Sequence, residues 1–177
     1  MRIRVLTFLF PFLLAAAHAA WAADIGIEPG KAAPAIELED LSGKTVALSE
    51  FGGRVVLLNF WSTLCAPCRE EMPSLNRLHA ALEGRGFLVL SVSIDSSDKL
   101  VREFVSAHKI AFPVLLDREK EVFFDEFAGP SLPASYLIDK NGVIRETFSG
   151  PREWDSPEMK AKVLKLLSTR QKEEDGK

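Results

Sequence analysis

Cys65 and Cys68 are the two cysteines of this 177-residue chain, and they stand together in Cys65-Ala66-Pro67-Cys68. A structural disulfide gains most by closing a long loop, so a bridge across two residues restrains almost nothing. Its use lies in being opened and closed, which is thiol-disulfide exchange. Three other uses compete. Zinc requires four ligands, yet there is no second cysteine pair, and His79 and His108, the histidines beyond the N-terminal segment, have no close-spaced partner. An inert disulfide would contribute little. A peroxide-reducing thiol is a third use, but a second thiol this close captures the first at once and favours exchange.

The chemistry depends on what surrounds the pair. Val55 to Phe60 is a nearly continuous apolar run rich in β-branched residues, as in a strand buried on both faces. Met72, Leu75, Leu78 and Leu82 follow at the spacing of one helical face. The motif therefore sits between a buried strand and the start of a helix. Unpaired N–H groups and the helix dipole at that position favour a thiolate on Cys65, the expected nucleophile. Cys68, about one turn further in, is placed to attack Cys65 and resolve a mixed disulfide. Pro67 suits the first helical turn and stiffens the loop, whereas Pro73 interrupts the helix interior.

The remaining elements must hold this junction. Asp24 to Ala35 is an extended lead-in, and Ile36 to Leu38 with Thr45 to Leu48 predict a hairpin turning near Ser42-Gly43. Phe87 to Ile94 predicts a second buried strand. Ser97 to His108 predicts a helix with Leu100, Phe104 and Ala107 on one side. Val114 to Leu116 is a short strand, and Val122 to Phe127 a short helical or irregular stretch. In that stretch the cluster Phe123, Phe124 and Phe127 fills a core or faces a partner. Ala134 to Ile138 and Val143 to Phe148 form a hairpin through Asn141-Gly142. Ser156-Pro157 starts a last helix carrying Met159, Val163, Leu166 and Leu167. Strands alternating with helices and ending in an antiparallel hairpin predict an α/β domain with a mixed sheet covered by helices on both faces.

Arg2 and Arg4, the apolar run Val5 to Ala17 and the small-residue pattern Ala17-His18-Ala19 predict a signal peptide over 1–19. The run is shorter than the ~18–20 residues of a spanning helix. An uncleaved N-terminal anchor to the inner membrane is the alternative. Residues 20–33 then form the lead-in, 34–170 one domain and 171–177 a charged tail. A net charge of −3 gives no basic footprint for nucleic acid.

Three markers in order resemble the TlpA/ResA branch of the thioredoxin superfamily, exported thiol-disulfide oxidoreductases often associated with cytochrome c maturation. They are Gly30-Lys31-Ala32-Ala33-Pro34; Asn59-Phe60-Trp61 running on to Cys65-Ala66-Pro67-Cys68-Arg69-Glu70-Glu71-Met72-Pro73; and Leu132-Pro133-Ala134-Ser135-Tyr136-Leu137-Ile138-Asp139. The resemblance implies a thioredoxin-like fold with an N-terminal β-hairpin extension. It makes Pro133 a cis-proline against the disulfide and gives the Leu132 backbone to an incoming polypeptide. It places Trp61 against the active-site loop, and Glu71 near Cys68 as a partly buried carboxylate able to shuttle its proton; a solvated Glu71 is the plainer alternative. Asn59 stands where many thioredoxins carry a buried aspartate, and it cannot titrate. Leu64 departs from the family's usual Trp, keeping an apolar rim without the large rigid face. Trp154 is expected to pack the last helix.

The implied activity is reduction of exported protein disulfides, apocytochrome c among them, by a periplasmic monomer. It needs no cofactor beyond the cysteine pair and is recharged by a membrane electron donor of DsbD or CcdA type. Two alternatives stand beside it: a disulfide oxidase or isomerase, and a non-catalytic peptide-binding module built on the same fold.

Overall fold

The computed structural model describes residues 26–129 and 131–169. The expected leader at 1–19 and charged tail at 171–177 lie outside them. Seven strands form one sheet in the order β2-β1-β5-β4-β3-β6-β7. β3 (Val55–Trp61) is its centre, parallel to β4 (Phe87–Ser93) and antiparallel to β6 (Ala134–Ile138). β4 runs parallel to β5 (Val114–Leu116), while β7 (Ile144–Ser149) closes one edge against β6. The N-terminal hairpin of β1 (Glu37–Asp40) and β2 (Thr45–Ala47) extends the other edge through an antiparallel β1–β5 pairing. Its turn is organised by Asp40, whose Oδ1 accepts from the Ser42 and Lys44 amides, with Gly43 at φ 85°.

Alternation along β3 divides the core. Val55, Leu57 and Trp61 face one apolar layer, and Val56, Leu58 and Phe60 face the other. All three α-helices contribute to the first layer: α1 (Ala66–Leu82), α2 (Asp98–Ala107) and α3 (Pro157–Ser168). The opposite face, where the alternation of elements predicts helices as well, carries instead the short helical turns Leu48–Phe51 and Val122–Glu126 together with the lead-in. Phe123 and Phe127 fill that second layer around the Phe60 ring, while Phe124 is 53% exposed.

One helical face differs from the expectation. α2 buries Val101 and Phe104, whereas Leu100 is 46% exposed and Ala107 faces solvent. Residues three apart share a face, so choosing Val101 with Phe104 rotates Leu100 out of the core. Leu100 and Val101 are both apolar, and periodicity alone left the phase of a ten-residue helix open. α1 runs through Pro73, which sits on its exposed side.

His79 on α1 is buried, with Nδ1 accepting the Val89 amide at 3.3 Å and Nε2 3.1 Å from Glu83. Burial lowers its pKa from 6.5, against the opposing pull of the Glu83 carboxylate. The unfolded chain therefore takes up a proton near pH 6.5 that the folded chain resists. This part of the stability is present above that pH and lost as pH falls through the lowered native value. Urea-denaturation midpoints measured downward from neutral pH should decline in the wild type and decline less steeply in His79→Gln.

Candidate functional site: a dithiol pair backed by a buried carboxylate

The site lies where β3 leaves the sheet. Ser62 to Leu64 carry the chain from Trp61 to Cys65, and the Cys65 amide donates to the Ser62 carbonyl at 3.1 Å. Cys65 is the N-cap of α1, with extended backbone angles and Pro67 in the first turn. Its Sγ accepts the Cys68 amide at 3.2 Å, so one of the helix's unpaired donors points at the sulfur. The two cysteines form a disulfide with a Cα–Cα separation of 5.3 Å. Their environments are unequal: Cys65 is half-buried at the surface, and Cys68 is 0% exposed inside the helix-side core. A partner's sulfur reaches the first and is excluded from the second.

Behind Cys68, Glu71 lies one turn further along α1 and is 2% exposed. Three donors from separate parts of the chain converge on its carboxylate. Asn59 Nδ2, on β3, donates to Oε1 at 2.9 Å. Trp154 Nε1 donates to Oε2 at 2.8 Å, and the Arg152 amide donates to the same oxygen at 3.2 Å. Burial raises the carboxyl's pKa above 4.5, and the bonds from Trp154, Asn59 and Arg152 pull it back in part. The chain thus holds a titratable group in the apolar layer that also contains Cys68. Asn59 donates in addition to Ser135 Oγ at 2.9 Å, tying β3 to β6 behind the carboxylate.

The other expected residues fall around this pair. The register that sets Phe60 opposite Ala134 brings Pro133 beside the end of β3, and the Leu132–Pro133 peptide bond is cis. Leu132 is half-buried and packs against both core layers. Trp61 is fully buried, its ring 5.0 Å from that of Phe104. Leu64, next to Cys65, is 84% exposed and forms an apolar projection beside the reactive sulfur. Pro67 is half-buried in the first turn of α1.

Two further participants carry no site signal in the sequence. Trp154 does pack the last helix, as expected, in the same layer as Met159 and Val163 and edge-on to Phe148 at 5.2 Å. Its indole N–H is also spent on Glu71, which its charged neighbours in the sequence, Arg152, Glu153 and Asp155, do not indicate. Asp95, just beyond β4, is buried and gathers the loop ahead of Cys65. It accepts the Thr63 amide and the hydroxyls of Ser62, Thr63 and Ser93, all at 2.8 Å. The run Ser93-Ile94-Asp95 resembles any strand end; only the parallel pairing of β4 with β3 brings Asp95 to the loop. Among the described residues, no group of three or more His, Cys, Asp or Glu side chains is arranged to hold a metal ion.

Known proteins resemble the chain in sequence and in fold. Residues 29–147 match the AhpC/TSA family. The thiol-disulfide oxidoreductase ResA of Bacillus anthracis is 38% identical over 121 residues, 68% of this chain and 69% of that protein. The thioredoxin-like protein YneN of Bacillus subtilis is 36% identical over 130 residues, 72% of this chain and 75% of that one. Among solved structures, a thiol:disulfide interchange protein from a Bacteroides species superposes with a TM-score of 0.71 at 26% identity. That superposition covers 84% of this chain and 96% of the other.

Removing the Asp95 acceptor leaves a partly buried cluster of donors without this partner. Asp95→Ala should lower stability by about 1–3 kcal/mol in urea titrations, the cost of stranding such groups. It should also speed amide hydrogen exchange at Thr63 and Leu64 more than in the strands. Unchanged exchange there would show that the loop is held by something other than this carboxylate.

Proposed function

The chain belongs to the AhpC/TSA family and is a thiol-disulfide oxidoreductase of the ResA-like, thioredoxin-fold type; from that premise we propose that it is an exported reductase of protein disulfides in which Glu71 handles the proton of Cys68. The observation that carries this reading is the inequality of the two sulfurs. Cys65 sits at the surface under a helix N-terminus, and Cys68 lies in the core one turn from a buried carboxyl group.

In the proposed cycle the Cys65 thiolate attacks one sulfur of a client disulfide, and the client's other sulfur leaves as a thiolate. Cys68 then gives its proton to the Glu71 carboxylate and attacks Cys65 Sγ. The second client sulfur departs, the client has gained two electrons, and the protein holds the Cys65–Cys68 disulfide. Only Cys65 has the helix terminus to stabilise its anion, whereas Cys68 is desolvated and faces a carboxylate. A dithiol with one well-stabilised thiolate and one poorly stabilised one gives its electrons up more readily than a pair whose anions are both favoured. This supports the reductive direction.

Leu64 and the Leu132 backbone are the proposed client-facing surface, with the buried cis-Pro133 behind them. The exposed Leu64 side chain supplies apolar contact, and the backbone before Pro133 is offered to an extended polypeptide. Apocytochrome c is the proposed client and a membrane carrier of DsbD or CcdA type the proposed electron source. The leader and domain boundaries read from the sequence, a periplasmic location and a monomeric state belong to the same proposal. Among the described residues no helix is long and apolar enough to cross a membrane.

Equilibration with glutathione should give a reduction potential well below the ~−120 mV of a strong periplasmic oxidant. A value near that figure would make the protein an oxidase. A Cys68→Ser variant should accumulate mixed disulfides between Cys65 and exported clients. Their absence, with clients still held noncovalently, would indicate a binding module. In the reduced protein, the pH profile of thiol alkylation should contain a transition that Glu71→Gln abolishes; an unchanged profile would remove Glu71 from the mechanism.

A further inference from the structure

We infer that Trp154 is a positioning residue for the exchange reaction: its indole N–H, held in place by a clamp between α1 and the 152–155 segment, sets the proton affinity of Glu71. The inference deepens the reading above and rests on Glu71 exchanging a proton with Cys68.

The clamp follows from spacing on one helix. Glu71, Ser74 and Arg77 recur every third residue along α1, so they share a face, and each engages the same short stretch of distant chain. Glu71 Oε2 accepts from the Arg152 amide and from Trp154 Nε1. Ser74 Oγ accepts the Trp154 amide at 3.0 Å and donates to the Glu71 carbonyl at 2.8 Å. Arg77 donates from Nε and one terminal nitrogen to the two Asp155 carboxylate oxygens at 2.7 and 3.0 Å. The same terminal nitrogen is 2.6 Å from Glu153. The Arg77 guanidinium holds the Asp155 carboxyl down to about 2, so this outer contact stays ionised over the working pH range. Trp154 is thereby fixed through its backbone amide and both flanking residues, and its ring is fully buried against Phe148. Such a ring has little freedom to withdraw its N–H from the carboxylate.

Of the three donors on Glu71, the Arg152 amide is main chain, and Asn59 divides its Nδ2 between Glu71 and Ser135. Trp154 Nε1 is the side-chain donor committed to the carboxylate alone. A neutral N–H facing an ionised oxygen favours the anion, and replacing the indole by a phenyl ring removes that preference without adding charge. The carboxyl would then titrate at still higher pH.

The test uses the oxidised protein, in which the cysteines do not titrate, and follows the Glu71 side-chain carboxyl by ¹³C NMR across pH. Trp154→Phe should move the Glu71 midpoint up by about one pH unit or more, the size expected when one hydrogen bond to a charged group is lost. In the wild type, the Trp154 indole N–H resonance should shift with the same midpoint as the carboxyl. A midpoint unmoved by Trp154→Phe, or an indole signal indifferent to the Glu71 transition, overturns the inference, and the indole measurement requires no variant to fold. In the reduced protein, the thiol-alkylation transition should move up in Trp154→Phe and be absent from both Glu71→Gln and the double variant. If Glu71→Gln leaves that transition in place, the proton-transfer reading fails while the NMR result still decides the Trp154 link. A purely structural role for Trp154 would lower stability and leave the Glu71 midpoint where it was.

Discussion

Burial of a carboxyl group in the layer that also buries Cys68 is the constraint on which the rest of this architecture depends. An ionised carboxylate without partners in an apolar interior is prohibitively unfavourable, so the group either keeps its proton or collects donors. Glu71 does some of each: burial raises its pKa, and three N–H groups limit the rise. Those donors come from β3 and from the loop before α3, and Ser135 on β6 supports one of them. The sheet order that sets β6 beside β3, and the packing of α1 and α3 on one face, are what bring these parts of the chain to a single carboxylate.

The reactive end is organised by a second and separate set of contacts. Cys65 owes its position to the N-cap of α1 and to a loop anchored by Asp95, a residue that reaches the site because β4 lies parallel to β3. Asp95 faces the loop ahead of the nucleophile, and Glu71 lies behind the resolving cysteine. One carboxylate holds the loop beside the half-exposed sulfur, and the other lies in the interior behind the buried one.

Much of this was legible in the sequence where local pattern and function coincide. The Cys65-Ala66-Pro67-Cys68 motif between an apolar run and a periodic helix marked the N-cap, and Asn141-Gly142 marked the β6–β7 hairpin. The fold class followed from the alternation of elements. Local pattern ran out where several choices satisfied the same periodicity, as with Leu100 against Val101 on α2. It ran out again where a polar role is created by distance alone. Trp154 meets Glu71 across 83 positions and Asp95 meets Thr63 across 32. A large aromatic is expected to pack a core, and nothing nearby in sequence shows which acceptor the N–H of Trp154 will find.

That difference between near and far contacts divides the labour inside the site. Cys65 caps the helix whose first turns carry Cys68 and Glu71, so the spacing of those two is set by helical geometry: residues three apart hold their Cβ atoms about 5–6 Å from one another. The proton affinity of Glu71 has no such local origin. It is composed by Asn59, Arg152 and Trp154, which the fold supplies from elsewhere. Because asparagine at position 59 does not titrate, Glu71 is the titratable side chain of this network. Changes on α1 therefore alter where the reacting groups stand. The 152–155 segment instead supplies two of the three donors on the Glu71 carboxylate.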